Sequence, residues 1–200
     1  MNDFNGILKM EMMIISLAVG YFLGAIPFGF LIAKAHGICI FQAGSGNPGA
    51  TNVLRILGKK AGYSVFLLDA FKGCMAVYFG TLFNEPYLTL LGALFGHSFS
   101  FFTHFKGGKG VATLIGGLAF LIPIPLILGL IVWLSVFKLT HYVSLASIIF
   151  VGILPCFNFL CNEASERQKH TLPLMMFASI VVWLHRTNLK RLLSSKEHRF

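Results

Sequence analysis

A chain of 200 residues with 56% hydrophobic and only 12% charged residues lacks the means to cover a water-soluble surface, because soluble domains run at roughly 45–50% apolar and about 25% charged. These proportions exclude a disordered chain, a coiled coil and most soluble enzymes. The net charge of +9 comes from too few charges to line a nucleic-acid groove, so no nucleic-acid partner is expected and the composition is that of a membrane protein.

Lys9 precedes a long apolar run, in the manner of a secretory leader. Asp3 and Glu11 flank that lysine, and the run continues past Leu31 with no small-residue cleavage site, so a retained spanning helix is expected. Crossing a bilayer takes roughly 20 mostly apolar residues. Met12–Ile32, Tyr63–Phe83, Pro86–Phe102, Val111–Ile122, Leu126–Phe137, Val143–Phe159 and Leu172–Leu184 meet or approach that requirement. Pro123 and Pro125 separate the fourth and fifth of these, since proline removes a donor and disfavours helix in the residue before it. Two short helices turning at 122–125 are therefore expected.

Charge supports the count. With seven crossings and the N-terminus outside, the loops on the cytoplasmic side and the C-terminal segment hold twelve of the sixteen basic residues, from Lys34 to Arg199, as cytoplasmic loops should. Merging the fourth and fifth helices would instead carry Lys138 and the C-terminal basic cluster to the outer side, against that rule. The expected fold is an all-α integral membrane protein of one domain over residues 1–200, with seven transmembrane helices, the fourth and fifth short, and a cytoplasmic C-terminus. Gly20/Gly24 and Gly92/Gly96 stand four apart inside apolar helices and read as close helix packing through small residues. Cys39, Cys74, Cys156 and Cys161 are scattered without a C-x-x-C pair and read as small apolar fillers.

The polar residues concentrate on the proposed cytoplasmic side. Gly44-Ser45-Gly46-Asn47-Pro48-Gly49-Ala50-Thr51-Asn52 supplies a tightly turning backbone that can present N–H groups to an anion, with Arg55 one turn later. Gly44, Gly46 and Gly49 satisfy G-x-G-x-x-G, but a membrane helix precedes them and Asp69 falls inside the next one, where a dinucleotide fold requires strands. Lys106-Gly107-Gly108-Lys109-Gly110 feeds a helix start at Val111. Its free N–H groups and dipole favour an anion, although a plain basic loop reads the same way. His185-Arg186-Thr187-Asn188 closes the last helix and puts His185 and Asn188 on one face, against the alternative of snorkelling basic residues. Ser144 and Ser147 are either a cap and a back-bonded serine or contacts to a polar ligand. Asp69 and Lys72 form an i,i+3 pair within the membrane, either functional or holding helices together. His97 and His104, seven apart, could share a face, but no further ligand joins them and no metal is expected. Glu197 is the only acid set against twelve bases on that side, so catalysis by a carboxylate pair is unfavoured. Residues and spacing alone describe a pocket for phosphate-bearing ligands at a membrane surface.

The ordered set Gly44–Asn52 with Arg55, Asp69-x-x-Lys72-Gly73, Gly96-His97, Phe105–Thr113, Tyr142–Ile148 and His185-Arg186-x-Asn188 with Glu197 resembles the bacterial acyl-phosphate:glycerol-3-phosphate acyltransferase family (PlsY) over nearly the whole chain. The resemblance implies seven membrane helices in the bacterial inner membrane and an active site facing the cytoplasm. It implies acyl transfer from acyl-phosphate to the 1-hydroxyl of glycerol 3-phosphate, giving lysophosphatidate and phosphate, the first step of phospholipid synthesis. No cofactor or metal is implied, and a soluble enzyme producing acyl-phosphate is an implied partner. Carried over position by position, Ser45, Arg55, Lys109 and His185 are the expected catalytic residues. Gly44, Gly46, Asn47, Gly49, Thr51, Asn52, Lys106, Gly107, Gly108, Gly110, Ser147 and Asn188 are expected to bind substrate. Asp69, Lys72, His97 and Glu197 belong to the motifs without an assigned role. This chain departs from the family pattern at Ala25, where a serine is usual, and at Ser100, where a proline is. It departs again at His141 in place of arginine and at Ser195 in place of glycine. A transporter for phosphorylated compounds is the chief alternative, but it predicts repeated halves and helices broken near the bilayer midplane, neither of which the sequence displays. A second alternative is a membrane subunit whose basic face docks a partner.

Overall fold

The structure, a computed structural model, describes the chain from Asn2 to Phe200, with side chains from Gly6 onward, so the Asp3 side chain lies outside the described part. Among the described residues there are ten α-helices and no strand. They are α1 (Asn2–Ala25), α2 (Phe28–Ala35), α3 (Ala50–Leu57), α4 (Lys59–Leu82) and α5 (Pro86–Ser98), then α6 (Val111–Leu121), α7 (Pro123–Thr140), α8 (Val143–Cys161), α9 (Ala164–Leu184) and α10 (Arg186–Leu193). A helix occupies each of the seven expected apolar stretches. Gly6–Ala35, Lys59–Leu82, Pro123–Thr140 and Val143–Cys161 are long and apolar enough to cross a bilayer by themselves. Leu160 and Leu172 are 72% and 75% exposed, surfaces that suit lipid rather than water.

Three boundaries differ from expectation for identifiable reasons. The first stretch is two helices, because Pro27 ends α1 and the chain restarts at Phe28. Pro123 and Pro125 lie in the first turn of α7, where a missing N–H costs nothing. That placement moves the break to Ile122 and gives α7 18 residues rather than a short span. The stretch beginning at Leu172 starts eight residues earlier, at Ala164, with Glu163 as its N-cap.

The chain forms two compact units, residues 1–120 and 121–200. In the first, α1 and α5 pack backbone to backbone. A Cβ on Gly20 or Gly24 would meet the Thr89 or Ala93 carbonyl oxygen at 1.9 and 2.1 Å, and Gly92 and Gly96 abut the Leu17 and Tyr21 carbonyls in return. The small-residue reading of these two pairs is thereby borne out. Gly73 and Gly116 make the same kind of contact between α4 and α6. A bilayer offers little hydrophobic drive for one helix to leave lipid for another, so close packing of this kind supplies the association. In the second unit α8 packs against both α7 and α9, with Gly129 seated on Phe150 and Leu154. Cys39, Cys156 and Cys161 are exposed rather than core fillers, whereas the half-buried Cys74 thiol donates to the Gly116 carbonyl at 3.1 Å, between α4 and α6.

Candidate active site

In residues 1–120 the first glycine loop is shaped by its own amides. Asn52, buried on α3, accepts the Ser45 backbone N–H at 3.0 Å through Oδ1 and donates to the Ala43 carbonyl at 3.0 Å through Nδ2. Asn47 Oδ1 accepts from the Gly49 N–H at 2.8 Å, folding the chain into the start of α3, with Gly49 as N-cap. Gly44 and Gly46 hold φ of 58° and 71°, the left-handed region that a Cβ disfavours. Ser45 and Thr51 stay partly exposed in this frame, and Arg55 is partly exposed in the last turn of α3. The sequence grouped Asn52 with the substrate ligands, whereas the structure commits both ends of its amide to the loop.

The second glycine loop follows α5 and is held from several directions. Thr103 donates to the Lys106 carbonyl at 2.6 Å, and the Gly108 N–H donates to the His97 carbonyl at 3.1 Å. Asn47 Nδ2 reaches the Gly107 carbonyl at 3.4 Å and so links the two glycine loops directly. Gly110, at φ 74°, delivers the chain to α6 at Val111. Lys109 is partly exposed and Lys106 exposed. Two departures from the family pattern meet here, since the Ser100 hydroxyl donates to the Ala25 carbonyl. Tyr21 fastens the same region by donating to the Phe99 carbonyl at 2.8 Å.

Behind the loops lies the expected Asp69–Lys72 pair at 2.8 Å, each side chain 3% exposed. His97 does not share a helix with His104. Helix α5 ends at Ser98, and His104 is exposed in a left-handed turn. Instead, His97 Nδ1 lies 3.5 Å from the Asp69 carboxylate, a pairing across helices that no spacing in the sequence could signal. A small cleft opens between these groups and both loops, bordered by Pro27, Phe28, Pro48, Ser100, Lys106 and Gly107.

In residues 121–200 a second polar knot forms around Glu197. Its Oε1 accepts from the Asn188 amide at 2.6 Å and the Ser144 hydroxyl at 2.9 Å, and its Oε2 receives Arg191 Nε at 2.8 Å. Helix α10, the start of α8 and the C-terminal segment are thereby tied together. Ser144 is thus neither the cap of α8, which is Tyr142, nor free for a ligand by this hydroxyl proton. Ser147 is buried and accepts from the Trp133 indole at 3.1 Å. His185 is buried at the α9–α10 junction with Nδ1 2.8 Å from the Val181 carbonyl. The proton assigned to Nδ1 by that contact makes Nε2 the basic nitrogen. Ser195 has φ 56°, which accounts for the glycine that the family pattern carries there. Trp133 and the role of Glu197 were missed because both act through partners on other helices.

Burial alone would raise the Glu197 pKa, but hydrogen bonds from Arg191, Asn188 and Ser144 prevail and hold it below the ordinary glutamate value. A carboxyl depressed in the folded state contributes stability that is full above its unfolded pKa and lost as pH falls through the folded one. Glu197→Gln is therefore expected to lower the melting temperature at neutral pH. The gap from wild type should close as the pH is taken below about 4, the ordinary glutamate range. A thermal scan against pH in detergent checks this.

The family model described as glycerol-3-phosphate acyltransferase matches residues 14–195. The chain belongs to the glycerol-3-phosphate acyltransferase family. The glycerol-3-phosphate acyltransferase of Fusobacterium nucleatum is 42% identical over 189 residues, covering 92% of this chain and 96% of that one. That of Aquifex aeolicus is 40% identical over 185 residues, covering 90% and 95%. Among solved structures, the glycerol 3-phosphate form of PlsY, an integral membrane glycerol 3-phosphate acyltransferase, superposes with a TM-score of 0.87 at 36% identity over 94% of this chain and 95% of that one. The lysophosphatidic acid form of PlsY gives 0.84 at the same identity and coverage. This family member is accordingly a multi-pass membrane acyltransferase, consistent with phospholipid synthesis.

Proposed function

We propose that the 200 residues act as one domain that transfers a fatty acyl group from acyl-phosphate to the 1-hydroxyl of sn-glycerol 3-phosphate, in a bacterial inner membrane with the reacting groups facing the cytoplasm. In this reading the chain crosses seven times, with the N-terminus outside and the C-terminus inside. The observation that carries it is the coupling of two glycine loops by Asn47 and Gly107, with Ser45, Arg55 and Lys109 held on or beside them. Two anion-binding backbones with cations alongside suit a reaction whose substrates and products all bear phosphate. The substrate and product forms of the similar PlsY structures support the same chemistry.

Each group takes a role its chemistry permits. The first loop, through Gly44, Ser45, Gly46 and Gly49 with Thr51 beside it, receives the acyl-phosphate head, while the acyl chain lies along apolar helix surfaces. Arg55 and Lys109, with Lys106 and the Gly107-Gly108-Gly110 backbone, neutralise phosphate charge. His185 and Asn188 bind glycerol 3-phosphate, while Ser147 and Glu197 hold their surroundings in shape. The 1-hydroxyl oxygen attacks the acyl carbonyl, forming an ester C–O bond. The bond from carbonyl carbon to phosphate oxygen breaks, and the departing phosphate takes up the hydroxyl proton. A mixed anhydride carries its own good leaving group, so positioning and charge stabilisation supply the acceleration without a protein nucleophile. No metal or cofactor takes part. The donor comes from a soluble enzyme that makes acyl-phosphate.

Purified protein offered palmitoyl-phosphate and glycerol 3-phosphate is expected to release phosphate and form lysophosphatidate, with palmitoyl-CoA giving neither. Turnover with the thioester and none with the anhydride would overturn the donor assignment.

A further inference from the structure

Asp69, Lys72 and His97 are buried ionisable groups that this chemistry leaves unused. Ions inside a bilayer are expensive, and a buried pair is often no better for stability than apolar residues of similar size. Helix adhesion does not call for them here, because α4 already meets α5 closely at Gly80, against Pro86 and Thr89, and meets α6 through glycine backbone contacts. What distinguishes the cluster is what it touches. Lys72 Nζ donates to the Ile26 carbonyl at 3.1 Å, at the break between α1 and α2, and lies 5.8 Å from the centre of the Phe28 ring. Asp69 faces both Lys72 and His97. His97 meets the second glycine loop twice: its carbonyl takes the Gly108 N–H, and its ring lies so close that a Cβ on Gly108 would fall 2.1 Å from Nε2. Gly107 is in turn the loop's link to Asn47 of the first loop. The break is tied to the first loop as well, since a Cβ on Gly29 would fall 1.7 Å from the Pro48 carbonyl oxygen.

We propose that Asp69, Lys72 and His97 form a positioning network that holds the α1–α2 break and the second glycine loop in one register, and through them sets Lys109 against the first loop. The proposal deepens the acyltransferase reading and rests on it. Lys72 anchors the break, Asp69 orients the imidazole, and the ring and carbonyl of His97 fix the height of Gly108. None of the three touches a reacting atom. Their removal therefore leaves the binding cations in place but misaligns them, which lowers kcat more than it changes KM.

The test separates alignment from folding. Asp69→Asn alone strands a buried lysine charge and is expected to unfold readily. The double variant Asp69→Asn with Lys72→Met removes both charges and is expected to recover the wild-type melting temperature while kcat for palmitoyl-phosphate stays at least about tenfold low, with KM for glycerol 3-phosphate within about threefold. His97→Gln keeps a donor toward Asp69 and should retain most of the turnover. His97→Leu, similar in bulk without the donor, should show the tenfold loss at unchanged melting temperature. These two carry the decision if the double variant is unstable. A well-folded double variant or His97→Leu protein with wild-type kcat overturns the proposal, as does equal loss in His97→Gln and His97→Leu. If the wild-type protein itself fails to use acyl-phosphate, the donor assignment fails instead, so the two failures are distinguishable.

Discussion

Alanine at Arg55, Lys109 or Ser45 is expected to lower turnover by roughly 10²–10³-fold, the usual consequence of deleting one preorganised stabiliser of developing charge. Arg55 sits in the last turn of α3, braced by Asn52 against the loop it serves. Lys109 stands between two glycines whose backbone is fixed by Leu94 and His97. Neither side chain belongs to a packed core, so the variants should insert and melt like the parent. Arg55→Lys is informative alongside them. A lysine preserves the charge and loses the planar fork, so partial recovery identifies charge as the main contribution and none identifies bidentate geometry. Steady-state phosphate release with palmitoyl-phosphate and glycerol 3-phosphate measures all four. Wild-type turnover in any alanine variant removes that residue from the active site.

Gly107→Ala should be nearly as damaging by a different route. A Cβ there would fall 2.1 Å from the His97 carbonyl oxygen and 2.6 Å from both the carbon and oxygen of the Ser98 carbonyl. Those are backbone atoms at the end of a packed helix and cannot swing aside, so the loop must move. Overpacking of this kind costs about 1–3 kcal/mol, and a shift near 1 Å in a catalytic loop is worth roughly 10²-fold in rate. The Asn47 contact to the Gly107 carbonyl should be lost with it. Turnover and thermal melting measured on the same preparation check the pair of expectations, and a fully active Gly107→Ala protein would show that the loop tolerates displacement.

Legibility in the sequence followed the range of the interaction. Hydrophobic runs gave a helix for each expected stretch, because each depends only on residues within itself. The Asp69–Lys72 pair was visible because i,i+3 spacing fixes it locally. The Gly20/Gly24 and Gly92/Gly96 pairs announced close packing, although not that they face each other. Nothing in spacing could select His97 over His104 as the partner of Asp69, 28 positions away in the chain. The Glu197 knot draws Ser144 from 53 residues upstream, and Trp133 reaches Ser147 from the neighbouring helix. Polar residues in such contacts look from sequence like ligands for a substrate, which is how Asn52 and Ser147 came to be grouped with them. Proline was the source of two of the misplaced boundaries. Whether it ends a helix, as Pro27 does, or begins one, as Pro123 does, depends on where its missing donor can be spared.

The α1–α5 seam bears on how such a chain can drift over generations. At Gly20, Gly24, Gly92 and Gly96 the opposing surface is main chain, which mutation cannot trim. No exchange on the far helix can make room for a methyl group, so compensating pairs of changes are closed off at these four sites. Innovation in this half of the molecule is thereby steered to outward positions such as Phe22 and Phe95, where lipid tails accept almost any apolar shape.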